Sequence, residues 1–327
     1  MIRKTILLLT LLSLLAVGCA QKNTTVVEPT AAQTTAPTTE PLTTDEPAQG
    51  PIILTDGLSR TVELAQPATA IVTLGPSTLE SLFAIGAGDQ VVGREEYSTY
   101  PDEAVAITSV GSLWESFPFE AIVALEPDLV IAPQIISSEQ VTAMEDLGLT
   151  VFWQANPADF EGLYTNLTEL ATLTGHEVEA VTLIEAISQR VAAVETVIAT
   201  IDDRPKVFYE LDATEPQSPF TTGAGTFIDT LITLAGGTNI GAVLDGEYPQ
   251  ISSEEIIIQN PEVIILADAP YGQTPEIVAA RAGWNVIAAV QNGRVYPFDP
   301  FLVSVPGPRM IDGLESLAKL LHPDLFK

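Results

Sequence analysis

The sequence predicts an α/β fold of two three-layer lobes, each a largely parallel sheet with helices on both faces, joined by one long bridging α-helix. Three observations lead to this prediction. Short apolar runs alternate with longer amphipathic stretches on both sides of residues 159–204, a pattern typical of parallel sheets. Residues 159–201 instead contain no proline and carry apolar residues at helical spacing. A short sequence pattern of the first half also recurs in the second half.

Residues 51–158 form the predicted N-terminal lobe. Its strands are predicted from β-branched apolar runs, and its helices from Ser or Thr caps at their starts and Gly or Pro at their ends. The predicted elements are a strand at 69–74, a helix at 77–88, a short helix stopped by Pro127, a strand at 128–132, a helix at 137–148 and a strand at 150–153.

Residues 159–204 form the predicted helical connection. Gly175 divides a first helix from a second one of about 25 residues, which at 1.5 Å per residue is roughly 38 Å long. A helix of that length is long for the interior of one α/β domain and suits a bridge between two. Asp202, Asp203 and Pro205 end it.

Residues 205–327 return to the alternating pattern and form the predicted C-terminal lobe. The predicted elements are a strand at 206–211, a helix at 225–237, a short helix at 252–261, strands at 262–268 and 295–298, and a closing amphipathic helix at 307–321.

The two predicted lobes share a local pattern. FPFEAIVALEPDLVIA and ISSEEIIIQNPEVIILAD each place a Glu seven residues before a Pro, with an acidic residue and an apolar run following at once. These residues are Glu120 with Pro127 and Glu254 with Pro261. STLESLFAIGAG is likewise echoed by GTFIDTLITLAGG. Two lobes of similar topology explain the repetition, and chance similarity of generic α/β segments is the alternative.

The N-terminal 18 residues are predicted to be a signal peptide, because Arg3 and Lys4 precede an apolar stretch too short to span a bilayer comfortably. Small residues stand before Cys19, the single cysteine, and this resembles the lipobox of bacterial lipoproteins, in which the cysteine is lipidated. An ordinary secretory signal is the alternative. Residues 19–50 are rich in Thr and Pro and form a predicted disordered linker.

Composition narrows the function further. The chain has 13 Lys and Arg against 43 Asp and Glu, a formal net charge of −30, so we expect no nucleic acid partner. His176 and His322 are the only histidines, and nothing near them gives a metal-ligand spacing. We therefore expect no resident metal and no cofactor, so that any metal arrives inside a bound ligand.

Three segments, 72–101, 223–240 and 305–323, together with the repeated pattern, resemble the periplasmic binding proteins for iron chelates and vitamin B12. The likeness runs in order through nearly all of residues 52–327. It implies two Rossmann-like lobes, a helical-backbone fold, and a ligand held in the cleft between the lobes. It also implies a monomeric protein outside the cytoplasm that is anchored to the membrane by its lipid and delivers its ligand to the permease dimer of an ABC importer.

In the family that this sequence resembles, one surface Glu of each lobe docks on arginines of the permease. The resemblance places Glu120 and Glu254 at these positions, with an ambiguity of one residue between Glu254 and Glu255. Exposed ion pairs of this kind would set register and association rate more than affinity. Each Glu could instead serve only its own helix, since a carboxylate near a helix N-terminus is favourable.

Ligand contacts are expected in the loops that follow the strands, where aromatic side chains are available. The predicted set is Arg94, Tyr97 and Trp114 in the first lobe and Phe220, Tyr248 and Arg309 in the second. The four aromatic residues fall at positions similar to aromatic contacts in the vitamin B12-binding members, although Pro133 stands where those carry another Trp. A corrinoid such as cobalamin, haem and a ferric siderophore therefore all remain open.

The competing class is a surface-anchored hydrolase that uses carboxylates of the cleft. The sequence has no G-x-S-x-G motif with a suitably placed His and no phosphate-binding G-x-x-x-x-G-K-[ST] loop. Paired carboxylates could be present among the 43 acidic residues. We expect a binding protein and not an enzyme.

Overall fold

The computed structural model describes residues 50–114 and 116–326. The predicted signal peptide, Cys19 and the predicted linker up to residue 49 lie outside the described residues. The described chain begins with an antiparallel hairpin that is absent from the predicted elements, formed by β1 (Ile52–Thr55) and β2 (Thr61–Leu64). No helix among the described residues is long and apolar enough to cross a bilayer.

The N-terminal lobe is built on a five-stranded sheet in which every neighbouring pair of strands is parallel. Its strands are β3 (Ile71–Thr73), β4 (Val91–Glu95), β5 (Thr108–Gly111), β6 (Leu129–Pro133) and β7 (Val151–Gln154). They lie in the order β5-β4-β3-β6-β7. The predicted strands at 69–74, 128–132 and 150–153 are confirmed as β3, β6 and β7, and β4 and β5 are additional.

Three helices connect these strands: α1 (Pro76–Ala84), α2 (Phe119–Val123) and α3 (Ser138–Asp146). Helix α3 begins with a capping box, in which Ser137 and Gln140 each accept a hydrogen bond from the other's backbone. Helix α1 is shorter than predicted, because Gly86 adopts a φ of +87° and a 3₁₀ turn follows.

The connection between the lobes consists of α4 (Phe160–Thr174) and α5 (Glu177–Ile198). The predicted break at Gly175 is present, and this glycine has a φ of +78°. Helix α5 has 22 residues, slightly fewer than predicted, and is therefore roughly 33 Å long. It packs on α4 at one side and on helices of the C-terminal lobe at the other.

The C-terminal lobe contains a four-stranded sheet, again with parallel pairing throughout. Its strands are β8 (Lys206–Glu210), β9 (Thr238–Asn239), β10 (Val263–Leu266) and β11 (Val295–Pro297), in the order β11-β10-β8-β9. Its helices are α6 (Phe227–Leu234), α7 (Ser253–Gln259), α8 (Pro275–Ala279), α9 (Ala288–Gln291), α10 (Phe301–Ser304) and α11 (Met310–Leu321).

The apolar core explains why the lobes form one body. A single buried cluster contains one face of both sheets and the inner side of α5, whose buried residues are Ala180, Ile187, Val191, Val194 and Ile198. A second cluster covers the other face of the N-terminal sheet, and a third covers the other face of the C-terminal sheet. Each sheet therefore lies between two layers of helices, and the predicted α/β fold of two three-layer lobes is confirmed.

Two tryptophans take part in this packing. The indole N–H of Trp153 donates to the carbonyl of Ile136 at 2.8 Å. That of Trp284 donates to the Ser253 hydroxyl at 2.6 Å, and the Trp284 side chain is fully buried. Neither ring is available as a ligand contact.

Candidate ligand-binding site

Exposed aromatic side chains gather at one edge of each sheet. The strands of the five-stranded and of the four-stranded sheet are all parallel, so their carboxyl ends share one edge of each sheet. This edge is where α/β proteins bind ligands. In the part of the chain that the structure describes, seven Phe, Tyr and Trp side chains are at least 40% exposed. All seven lie in connections that leave the carboxyl ends of strands: Tyr97 and Tyr100 after β4, Trp114 after β5, Phe220 after β8, Tyr248 after β9, Tyr271 after β10 and Phe301 after β11.

Hydrogen bonds of the buried residue Ser98 hold the loop after β4 in a conformation in which Tyr97 faces solvent. Ser98 is fully buried, and its hydroxyl donates to the Glu95 carboxylate at 3.0 Å. Its backbone N–H also donates to the Glu95 carbonyl at 3.2 Å. Tyr97 lies in this tight turn between Glu95 and Ser98 and is 62% exposed.

Phe220 and Tyr248 lie on loops that the structure joins directly. Phe220 exchanges backbone hydrogen bonds with Leu211 and Asp212 at the end of β8. The next residue, Thr221, donates to the carbonyl of Pro249, beside Tyr248. Burial raises the pKa of the Tyr248 hydroxyl, and the neighbouring Glu247 adds to this effect. The two predicted aromatic contacts of this lobe are therefore neighbours at the same edge.

Arg94 does not lie in the cleft as predicted. Its side chain is buried, and its guanidinium donates to the carbonyls of Ala104, Glu95 and Glu96 at 2.9–3.0 Å. These carbonyls belong to the last residue of β4 and to the chain between β4 and β5, so Arg94 stabilises that connection from its buried side. The Nε and Nη1 donors of Arg94 therefore bind backbone carbonyls of its own lobe and not a ligand.

Arg309 lies where the two lobes meet. Its backbone N–H and its Nε–H donate to the two carboxylate oxygens of Glu80, at 2.7 and 2.8 Å. Its guanidinium carbon lies 3.7 Å from the centroid of the Tyr100 ring. Glu80 and Tyr100 belong to the N-terminal lobe and follow β3 and β4, whereas Arg309 follows β11. The carboxyl edges of the two sheets therefore face each other.

The carboxyl edge of the C-terminal sheet also contains a polar pocket of about 620 Å³, at the ends of β8 and β10. It has no basic lining residue and is lined by Leu211, Asp212, Ala213, Thr214, Pro216, Asp268, Tyr271 and Gln273. Asp268 is nearly buried and accepts a hydrogen bond from the backbone of Ala213 at 2.9 Å. Burial raises the pKa of Asp268 to about 6, and nearby Glu210 contributes. The ionisable acids of the lining, Asp212 and Asp268, offer hydrogen-bond acceptors when they are charged.

Tyr271 and Glu80 are not among the predicted site residues. Tyr271 follows a predicted strand at its carboxyl end, so the rule that selected the other aromatics would have selected it too. Glu80 is an acidic residue within an otherwise apolar stretch of α1, and it is 3% exposed. Its partner lies 229 residues away, beyond the reach of any local pattern.

Glu120 and Glu254 occupy equivalent positions on the surface. Each is the second residue of its helix, α2 or α7, and each is exposed. Glu255 is partly buried, and its carboxylate accepts a hydrogen bond from the Gln259 amide at 2.7 Å. Of the two adjacent carboxylates, Glu254 is the one that projects freely from the lobe.

No group of three or more His, Cys, Asp and Glu residues that could hold a metal occurs within residues 50–114 and 116–326. The two histidines are far apart in the fold. Nδ1 of His176 is 3.0 Å from the carbonyl of Thr174, and Nε2 of His322 is 3.3 Å from the carbonyl of Gly236. Burial lowers the pKa of His322.

Comparison with known proteins agrees with this architecture. A family model described as periplasmic binding protein matches residues 71–301. An uncharacterized ABC transporter substrate-binding lipoprotein of Bacillus subtilis, YvrC, is 32% identical over 85% of this chain and 87% of its own length. A cobalamin-binding protein of Halobacterium salinarum is 29% identical over 91% of this chain and 81% of its own.

Among solved structures, the vitamin B12-binding protein BtuF of Vibrio cholerae is similar with a TM-score of 0.68 and 26% identity, over 79% of this chain and 98% of that one. The members of this group are binding proteins for transport and not enzymes, so the hydrolase alternative is wrong. Both the match to the family model and the relatives that cover most of the chain show that this protein belongs to the periplasmic binding protein family.

Proposed function

We propose that this protein is the extracytoplasmic substrate-binding lipoprotein of an ABC importer and that it captures a metal chelate between its lobes. The observation that carries the proposal is the placement of exposed aromatic side chains at the facing carboxyl edges of both sheets. Flat rings on two opposed surfaces suit a bulky ligand with a flat, apolar framework, because stacking and apolar burial both contribute to binding.

Among chelates, a corrinoid such as cobalamin is favoured over a strongly anionic ferric catecholate. The two arginines that the sequence offered to an anion, Arg94 and Arg309, are engaged by backbone carbonyls and by Glu80. The polar pocket at the ends of β8 and β10 offers acceptors, which suit ligand amide N–H groups better than carboxylates. The names of the Halobacterium and Vibrio relatives point the same way. A near-neutral ferric hydroxamate is the second choice.

Delivery to the permease dimer is assigned to Glu120 and Glu254. Both carboxylates are exposed, and each is held at the start of a short helix on a body whose lobes share one core. Two anionic groups at a fixed separation would select a permease surface with two basic groups at the matching distance. The protein would work as a monomer, held at the outer face of the membrane by a lipid on Cys19, as the name of the Bacillus relative also suggests.

The test uses the unit of residues 49–327, which is compact by itself. Hydroxocobalamin, haem, a ferric hydroxamate and a ferric catecholate are titrated while tryptophan fluorescence and the melting temperature are recorded. We expect saturable binding of one hydroxocobalamin per chain, a rise in melting temperature and no chemical change of the ligand. Absence of binding to all four ligands would refute the proposed ligand class, and binding only to the catecholate would refute the preference for corrinoids.

A further inference from the structure

The contact between Glu80 and Arg309 is the basis of a further inference. Glu80 lies in α1 of the N-terminal lobe, and both of its carboxylate oxygens accept hydrogen bonds from Arg309 in the C-terminal lobe. Within the described residues, no other side chain donates a hydrogen bond to this carboxylate. Glu80 is nearly buried, and its charge is neutralised only from the other lobe. The cost of removing this charge from water is therefore offset only when the lobes keep their relative position.

The surroundings of this pair are packed closely. A Cβ atom placed on Gly307 would lie 3.1 Å from Oε1 and 3.2 Å from Cδ of Glu80. The backbone before Arg309 therefore rests directly against the carboxylate, and glycine is the residue that allows this approach. The contact involves both the backbone and the side chain of the second lobe, which fixes direction as well as distance.

Arg309 also connects this pair to the aromatic residues. Its guanidinium lies over the Tyr100 ring, and Tyr100 belongs to the same loop as Tyr97, a predicted ligand contact. A cation over an aromatic face is attracted to it, more strongly when the pair is shielded from water. One arginine thus holds both α1 and the loop after β4 from across the junction.

We propose that Glu80 is a positioning residue for ligand binding, which holds Arg309 across the junction and so fixes the separation of the two carboxyl edges and the placement of the Tyr97–Tyr100 loop. This inference rests on the proposed function for its effect on the ligand, but its effect on lobe separation does not depend on the identity of the ligand. Glu80 would contribute to affinity without touching the ligand.

The ion pairs of Arg190 with α11, the helix that begins directly after Arg309, provide a matched control. Arg190 of the bridging helix α5 binds Asp312 and Glu315 of α11, with all three side chains more than 40% exposed. These contacts tie α11 to the bridging helix, and within the described residues Arg190 makes no hydrogen bond to the N-terminal lobe. Loss of Arg190 removes arginine–carboxylate contacts from α11 and keeps the hydrogen bonds between Glu80 and Arg309.

The experiment measures lobe separation and affinity in parallel. Residues 49–327 contain no cysteine, so Thr142→Cys and Ala280→Cys, both exposed and one in each lobe, allow two spin labels to be attached. The distribution of distances between the labels is recorded by pulsed electron paramagnetic resonance without ligand. Affinity for hydroxocobalamin is measured by tryptophan quenching in the same variants.

We expect Glu80→Gln to broaden the distance distribution, since in either orientation its amide nitrogen would face a donor of Arg309, the backbone N–H or the Nε–H. If the population with the original separation falls to about a tenth, the apparent Kd for hydroxocobalamin rises about tenfold. Gly307→Ala should broaden the distribution in the same way by a steric route that changes no charge. Arg190→Gln should leave both the distribution and the Kd unchanged.

The distance measurement decides the proposal. A distribution that stays unchanged in both Glu80→Gln and Gly307→Ala would overturn it, as would equal broadening in Arg190→Gln. Should Glu80→Gln fail to fold, Gly307→Ala still provides the same measurement. Failure of hydroxocobalamin to bind even the unsubstituted protein would count against the proposed ligand, while the distances would still confirm or refute the junction.

Discussion

The carboxylate of Glu210 at the end of β8 is paired with the guanidinium of Arg281, and the Arg281 side chain is only 6% exposed while that of Glu210 is fully buried. Arg281 also donates to the side-chain oxygen of Gln273 at 2.9 Å and lies over the ring of Trp284. This pair lies next to the polar pocket, because Gln273 is one of the residues that line it. The guanidinium of Arg281 is therefore engaged by Glu210 and Gln273, and no basic side chain lines the pocket itself.

Loss of Arg281 should destabilise the protein strongly. Arg281→Met keeps much of the side-chain volume but leaves Glu210 as a buried charge without its partner, so we expect the free energy of unfolding to fall by about 3–5 kcal/mol. Urea denaturation followed by circular dichroism measures this. The control is Arg190→Met, whose ion pairs are exposed and should be worth about 0–1 kcal/mol. Equal losses in the two variants would contradict a special role for the buried pair.

Asp268 should make stability depend on pH. Its pKa is about 6 in the folded protein, because of burial and nearby Glu210, against an ordinary value of 3.8. As pH falls from 7.5 to 4.5, the folded state takes up a proton on Asp268 that the unfolded chain does not yet bind, so this residue makes the fold more stable at the lower pH. The carboxylate is thus unfavourable to folding above pH 6.

Asp268→Asn cannot take up this proton. We expect the difference in free energy of unfolding, wild type minus Asp268→Asn, to shift in favour of the wild type as pH falls from 7.5 to 4.5. Urea titrations of both proteins at intervals of half a pH unit measure this difference. Asp212→Asn is the control from the same pocket, since hydrogen bonds from Thr214 lower the pKa of Asp212. A difference that stays constant across the range would show that Asp268 is not the titrating group.

The elements that sequence predicts well are those whose own periodicity determines their burial. The bridging helix is one, because Ile187, Val191 and Val194 repeat at helical spacing and all face the shared core. Strand β4 escaped prediction because Gly93 and Arg94 interrupt its apolar run. A Cβ on Gly93 would lie against the end of the Leu125 side chain, and this contact is not visible in a local window.

The candidate site also combines residues that a local pattern predicts with residues whose placement depends on tertiary contacts. The positions of Tyr97, Trp114, Phe220 and Tyr248 could be predicted as exposed strand-end residues, because the ends of apolar runs are visible in the sequence. Arg94 was misplaced because its burial depends on carbonyls of a later connection, around Ala104. Whether an arginine faces the cleft or the backbone depends on tertiary contacts, and a strand-end position alone does not decide it.

Arg94 should therefore matter for folding more than for affinity. Arg94→Met leaves the carbonyls between β4 and β5 without their donors, so we expect a loss of about 3 kcal/mol in the free energy of unfolding. Urea denaturation measures this. Arg204→Met is the control, because Arg204 is exposed and makes a single hydrogen bond to Thr233. A negligible loss in Arg94→Met, with weaker ligand binding, would instead return Arg94 to the cleft.

Trp114 should show the opposite behaviour. Its side chain is 71% exposed, so Trp114→Ala should change the free energy of unfolding by less than about 0.5 kcal/mol. If the ring stacks on the ligand, its removal should raise the Kd for hydroxocobalamin about tenfold. Val178→Ala in the bridging helix, with a similarly exposed apolar side chain, should change neither quantity. Unchanged affinity in Trp114→Ala would remove this residue from the site.

The double variant Glu120→Ala and Glu254→Ala should abolish ligand import while leaving the Kd within about threefold, because in the proposed function these charges set registration on the permease and do not face the ligand. Uptake of labelled cobalamin by cells that carry the cognate permease measures import, and fluorescence titration measures the Kd.

The structure offers a closely matched control for this experiment. Glu139 and Glu276 are also exposed second residues of helices, α3 and α8, one in each lobe, and hydrogen bonds at the helix starts lower their pKa. Glu139→Ala with Glu276→Ala removes the same charge from equivalent local positions. Import should then continue at the normal rate, because a carboxylate at a helix start is not sufficient for docking. Equal loss of import in both double variants would show that Glu120 and Glu254 contribute only general negative charge. A large rise in Kd in the double variant of Glu120 and Glu254 would place these residues in the cleft.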